Sequence, residues 1–563
     1  MTWFRWGCAV LLAAGCRGRP GGDDPSGTGT ETGQQQPPSG SDSSDSGTPP
    51  DEGIDPASVP EPRAGRLTDL QYRYTVLDVL GVALTEEEID ALPVDIPTGR
   101  DYSTIVEPQF FNANYVLAYA QIARSVSARL DPAALAQTYA GCDGLDPLCR
   151  SLLIRGLGLR LYRRPLSEEE AGRYLALADA ILGADGATEA DVIRGIVQAM
   201  MQAPPFLYRI ERETDGEPGT LRRIDGYELA SRLSYFLWQS APDEPLLEFA
   251  AGPQGDGRFD RDAVGSQVDR MIADDRFARA RGLFWGDYTL ALRSNFGGAD
   301  PLLAGELRDS VIATLERMSG AGGPPEPLSA LFDGSWLLMT PAVAELAGAT
   351  PAGEGLVEYD IADGVERMGV VTHPGFLAAI GTTSFVGRGL LLTERLLCQR
   401  VAEPPVETED EIDSTAQATE DMTPREASEF RMGVEPVCQA CHIQFEPVAY
   451  AFERYDILGR HALADEQGRE LLSHGLLPAF DVRPAIEFAD AIDLLEALAG
   501  LDAVNACLVE NMTEFSTGLR ANLAGDFHDE ATARFSDEGL TFDALVGAVA
   551  RSEQRTLMRV VEP

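Results

Sequence analysis

The stretch "RLTDLQYRYTVLDVLG", residues 66–81, decides how the rest of the chain is read. Thr68 followed three residues later by Gln71 is a capping box, in which each side chain takes the other's main-chain amide at the start of a helix. Leu70, Tyr74 and Leu77 recur at helical spacing, and Gly81 supplies the left-handed residue on which helices end. The spacing predicts a helix that buries those three side chains. The same capping device recurs as Thr85 with Glu88, Ser167 with Glu170, and Thr423 with Glu426, the last flanking Pro424 at a first helical position. Extended alternation is scarce, with "RMGVVTHP" (367–374) among the few strand candidates. The expectation is a mainly α-helical protein.

A chain of 563 residues exceeds the roughly 250–300 at which a single hydrophobic core stops growing, so several domains are expected. Apolar residues make up 44%, a globular composition with enough surface to bury. The charge is lopsided: 90 acidic against 45 basic residues leave a net of −45, and every basic residue is arginine. Such a surface repels phosphate backbones, so no nucleic-acid partner is expected. Without lysine there is no Walker phosphate loop, no pyridoxal Schiff base and no kinase-type phosphate lysine. "GLGLRLYRR" (156–164) lacks the third glycine of a dinucleotide loop, and no Gly-x-Ser-x-Gly elbow occurs.

The first residues carry Arg5, a short apolar run and small residues before Cys16, the layout of an export signal too short to span a bilayer. "LLAAGC" (11–16) resembles a bacterial lipobox with Ala13 where leucine is usual; the resemblance implies lipidation of Cys16 and, with Arg17 following, the outer membrane. Residues 17–62 hold almost no large apolar side chains and read as a disordered tether. Export places the cysteines in an oxidising compartment, where disulfides form and c-type haem is attached. Cys142 and Cys149 are close enough in sequence to close a small loop. Cys398 and Cys507 are left as a long-range pair.

Cys438 and Cys441 stand in "VCQACH" (437–442), and three chemistries fit that run. For haem c, both cysteines would form thioethers and His442 would ligate iron through Nε2, its tautomer fixed by a main-chain carbonyl accepting from Nδ1. For zinc, His461 and His474 would complete the set. The third reading is a Cys438–Cys441 disulfide or redox dithiol. On the haem reading, Met512, His461 and His474 are downstream candidates for the far side of the iron, with Met422 and Met432 upstream. A Met ligand favours electron transfer, whereas an open position permits peroxide or oxygen chemistry. His373 and His528 read as structural or solvent-facing. The aromatic residues Tyr235, Phe236, Trp238, Trp285 and Tyr288 read as core rather than as a carbohydrate groove.

Several blocks in fixed order carry a wider resemblance. They are "RLTDLQYRYTVLDVLGV", "LYRRPLSEEE" (161–170), "ELASRLSYFLWQSAPDEPLLEFA" (228–250), "LLMTPAVAELAGA" (337–349), "GTTSFVGRGLLLTERLLCQRVAEPP" (381–405), "CQACHIQFEPVAYAFERYDILGR" (438–460), "CLVENMTEFSTGLR" (507–520) and "SEQRTLMR" (552–559). Together they resemble a secreted multi-domain family of planctomycetes and myxobacteria, built from domains of unknown function numbered 1587, 1595, 1592, 1588 and 1585. Phe385 stands where the family has proline, Glu446-Pro447-Val448-Ala449 where it has Asp-Pro-x-Gly, and Leu519 interrupts its Gly-Arg. The resemblance implies a signal peptide at 1–16, a linker at 17–62 and helical domains at 63–135, 136–215 and 220–350. A CxxCH-containing domain with a cytochrome c-like segment follows at 356–465, and a last helical domain at 480–563. The function expected is that of an exported, lipid-anchored protein with one haem c, in electron transfer or as the redox part of an extracytoplasmic oxidoreductase served by a redox partner protein. The alternative is a haem-free cell-surface binding or scaffold lipoprotein with a Cys438–Cys441 disulfide. The family prescribes no reaction, so neither expectation says whether the protein is an enzyme.

Overall fold

The structure, a computed structural model, describes residues 59, 64–93, 95, 101–105, 112–211, 219–255, 257–292, 294–361, 366–401, 422–434, 436–480, 483–519 and 526–559. The signal segment with Cys16 and the acidic stretch 403–421 fall outside them, as does the stretch read as tether except for Val59. That residue is buried against Phe527 and Leu557.

The fold is mainly helical, with four two-stranded antiparallel ribbons among the described residues. The expected caps form. Thr68 with Gln71, Thr85 with Glu88, and Ser167 with Glu170 each make both reciprocal hydrogen bonds, and Thr423 with Glu426 does the same at 2.8 and 3.2 Å. The buried face of the helix Asp69–Leu80 differs from the expected one: Tyr72, Val76, Val79 and Leu80 point inward, whereas Leu77 is 38% exposed. Arg279, stacked 4.1 Å over Tyr74 and paired with Asp78, claims the other side of the helix. The strand expected in 367–374 is also absent. Gly369, at φ +61°, starts a 3-10 turn Val370–Thr372 that runs into the helix Pro374–Ile380.

Two large cores hold the described residues together. Helices Asp69–Leu80, Ala113–Arg129, Pro147–Leu161 and Glu189–Met200 supply the smaller one. Stretches 220–350, 356–465 and 480–563 all contribute to the larger. They meet on the helix Gly226–Leu237, where Tyr235 belongs to the smaller core and Phe236 to the larger. The five aromatic residues read as core are all buried, and Trp238 and Trp285 are 0% exposed. The ribbon of Leu221–Arg223 with Leu557–Arg559 brings the end of the described chain back to the middle.

Both expected disulfides are present. Cys142–Cys149 closes a short loop, and Cys398–Cys507 joins positions 109 residues apart. Buried arginines supply further cross-ties: Arg163, in the Tyr-Arg-Arg-Pro block, donates to the carbonyls of Pro205 and Tyr208 at 2.6 Å, and Arg367 donates to those of Ala347, Thr372 and Gly459.

A short repeat stands at 456–469. Asp456-Ile-Leu-Gly459-Arg460 and Asp465-Glu-Gln-Gly468-Arg469 are successive turns of one design. In each, the first aspartate oxygen accepts main-chain amides two and four residues on, the second pairs with the arginine, and the glycine adopts φ near +79°. Its signal was the doubled Asp-x-x-Gly-Arg spacing.

Candidate functional site around His442

The helix Pro424–Val434 begins at the Thr423 cap and runs antiparallel to the short helix Glu446–Ala449 and its 3-10 extension Tyr450–Phe452. Three successive turns of the first read three positions of the second. Arg425 stacks 3.9 Å over the Tyr450 ring and pairs with Glu453 at 3.2 Å. Ser428 shares a 2.7 Å hydrogen bond with the Tyr450 hydroxyl. Arg431 holds Glu446 through both carboxylate oxygens, each at 2.8 Å. The spacings 425, 428, 431 and 446, 450, 453 are one face of each helix.

Between these helices, Pro436–His442 carries Cys441 and His442. The Cys438 side chain lies outside the described residues. Cys441 is a free, partly exposed thiol. His442 Nδ1 hydrogen-bonds to the Glu446 carboxylate, its ring rests against Phe445 at 5.1 Å, and Nε2 makes no hydrogen bond to any described residue. The acceptor on Nδ1 is therefore a carboxylate, not the expected main-chain carbonyl. Glu446 is 0% exposed. Burial pushes its carboxyl up, but hydrogen bonds from His442, Arg431 and Ser428 outweigh that and hold it down at about 2.

Phe385 is buried with its ring 4.9 Å from that of Tyr450, and Met432 packs on the same cluster. On the same helix, Phe385–Leu396, Arg388 donates to the carbonyls of Phe452, Tyr455 (2.8 Å), Asp456 (2.9 Å) and Thr382 (3.0 Å). Arg431 and Ser428 were missed in the sequence; the His442-to-Glu446 interval of four was the readable signal.

The other candidate ligands are spread out. His461 Nε2 lies 3.2 Å from Glu366, which also pairs with Arg454 at 2.6 Å. His474 is exposed, with its carbonyl taken by Arg425. Met512 is buried in the larger core, and Met422 is partly buried. No group of three or more His, Cys, Asp or Glu that could hold a metal occurs among the described residues, so Cys441, His461 and His474 do not converge as the zinc reading required. His373 is structural: fully buried, it caps Pro374–Ile380 by accepting from the Gly375 amide at 2.8 Å. His528 lies 3.0 Å from the Ala506 carbonyl. The residues at 441–446 match what a c-type haem requires of its proximal side, a free thiol next to a histidine with Nδ1 anchored and Nε2 unengaged.

Four protein-family profiles match the chain, each described as a protein of unknown function. They are DUF1587 over 65–132, DUF1595 over 149–211, DUF1592 over 224–317 and DUF1588, also termed PSCyt3, over 367–465. The chain belongs to this multi-domain family. No curated protein and no solved structure matches it.

Proposed function

We propose that the chain is an exported, lipid-anchored protein that holds one haem c at Cys438, Cys441 and His442 and works in electron transfer, or as the redox component of an extracytoplasmic oxidoreductase. The observation that carries this reading is the His442–Glu446 contact, which leaves Nε2 as the ring's unengaged donor. Haem bound there supplies one-electron chemistry. Cys438 and Cys441 would hold it covalently, His442 would ligate the iron, and Phe445 and Glu446 would fix the ring. The disulfides Cys142–Cys149 and Cys398–Cys507 support an oxidising compartment. Cys16 would provide the lipid anchor, a separate protein would exchange electrons with the site, and the helices after residue 480 would form the family's 1585-like domain.

The competing reading, a haem-free binding or scaffold lipoprotein, draws its support from the same two disulfides. The test is full-length protein made with cytochrome-maturation machinery. A Soret band and a covalent haem stain, both lost in Cys441→Ala, are expected. Colourless, stain-negative protein from the native host would overturn the proposal.

A further inference from the structure

The contact between His442 and Glu446 has an electrostatic sense as well as a geometric one. A main-chain carbonyl on Nδ1 would offer a neutral dipole, whereas Glu446 offers a carboxylate with no exposed surface. Its first oxygen takes both His442 and the Arg431 Nε, and its second takes the other arm of the Arg431 fork. With the Arg431 fork and the His442 ring both directed at the carboxylate oxygens, Nδ1 is the nitrogen engaged by Glu446 and Nε2 the one that faces no described partner. Arg431 meets the carboxylate from another side of the same oxygen and makes no hydrogen bond to the ring, so the group bonded directly to Nδ1 is the carboxylate.

We propose that Glu446 is a positioning residue for His442: it locks the ring with Nδ1 turned to the carboxylate and makes Nε2 a more electron-rich ligand, which lowers the reduction potential of iron ligated there. This rests on the haem reading for its redox consequence, but not for the state of the ring. Stronger donation from the proximal histidine stabilises the oxidised metal, and second-shell acceptors are a recognised means of raising that donation. The site is then an electron-releasing centre of low potential, suited to passing electrons on to an acceptor.

Two measurements test this. In haem-loaded full-length protein, spectroelectrochemical titration of Glu446→Gln should give a more positive midpoint than the wild type, and Glu446→Asp should return most of the difference. Glutamine keeps the size of the side chain and one acceptor oxygen, the one that His442 and the Arg431 Nε share, while losing the charge and the second acceptor, so a role confined to holding the ring in place would leave the midpoint where it is; unchanged midpoints would overturn the proposal. In the haem-free chain, the nitrogen-15 imidazole spectrum should show His442 protonated at Nδ1 and bare at Nε2. The reverse tautomer, or an even mixture, would also overturn it. Protein that takes no haem but shows the Nδ1-protonated ring would refute the haem reading while supporting the role of Glu446.

Discussion

Gly389 approaches Phe445 so closely that a β-carbon on the glycine would lie 2.1 Å from the phenylalanine carbonyl oxygen. The obstacle is main chain, which cannot swing aside as a side chain could. Gly389→Ala must therefore push the helix Phe385–Leu396 away from the turn that carries Glu446, at a cost of about 3 kcal/mol. The variant should melt earlier and show a disturbed His442 environment in its proton NMR spectrum; an unchanged melting point would contradict the packing.

Arg388 places its guanidinium in a fully buried site whose hydrogen bonds all go to carbonyls. Lysine lacks the planar fork that reaches several carbonyls at once. Arg388→Lys should lose about 2–4 kcal/mol. Faster amide exchange of the segment 446–456 than in the wild type would report it.

The disulfides should differ in worth. Loop entropy assigns about 5 kcal/mol to the bridge closing 109 residues and about 2 kcal/mol to the one closing seven. Chemical denaturation of Cys398→Ser/Cys507→Ser and Cys142→Ser/Cys149→Ser double variants should rank them in that order. Equal losses would show that constraint of the unfolded chain is not what matters.

His373 should make the protein acid-sensitive before its carboxylates do. Burial pushes the ring down to about 3, and the nearby Arg367 charge adds to the effect. A base whose folded pKa is depressed takes up its proton more readily when unfolded. Stability is then complete above about 6.5 and is lost toward 3, at up to about 1.4 kcal/mol per pH unit. Glu446, held at about 2, loses stability in the same direction, but only below the ordinary carboxylate range. Between pH 7 and pH 5 the melting temperature of the wild type should therefore fall more than that of His373→Asn, which keeps an acceptor for the Gly375 amide. Identical falls would exclude this origin.

The helix starts were legible because a capping box is a local matter of four residues, as at Thr68, Thr85 and Ser167. Which face such a helix buries is not local. Leu77 is apolar at helical spacing, yet partners two hundred residues away, with Arg279 over Tyr74, set the rotation of its helix. The stretch 367–374 has the β-branched pair of a strand, but Gly369 turns the chain where a strand would run straight. At the site, Cys438, Cys441 and His442 were legible as a motif. Arg431 was not, because its partnership with Glu446 joins two helices. Glu446, four residues after His442, is the group that holds it.

One turn of the helix Gly226–Leu237 faces both cores, Tyr235 entering one and its neighbour Phe236 the other. Neither core can loosen around that turn without exposing aromatic surface in the other. Heating should therefore melt both as a single event, and a protease should find no stable half-molecule to leave behind.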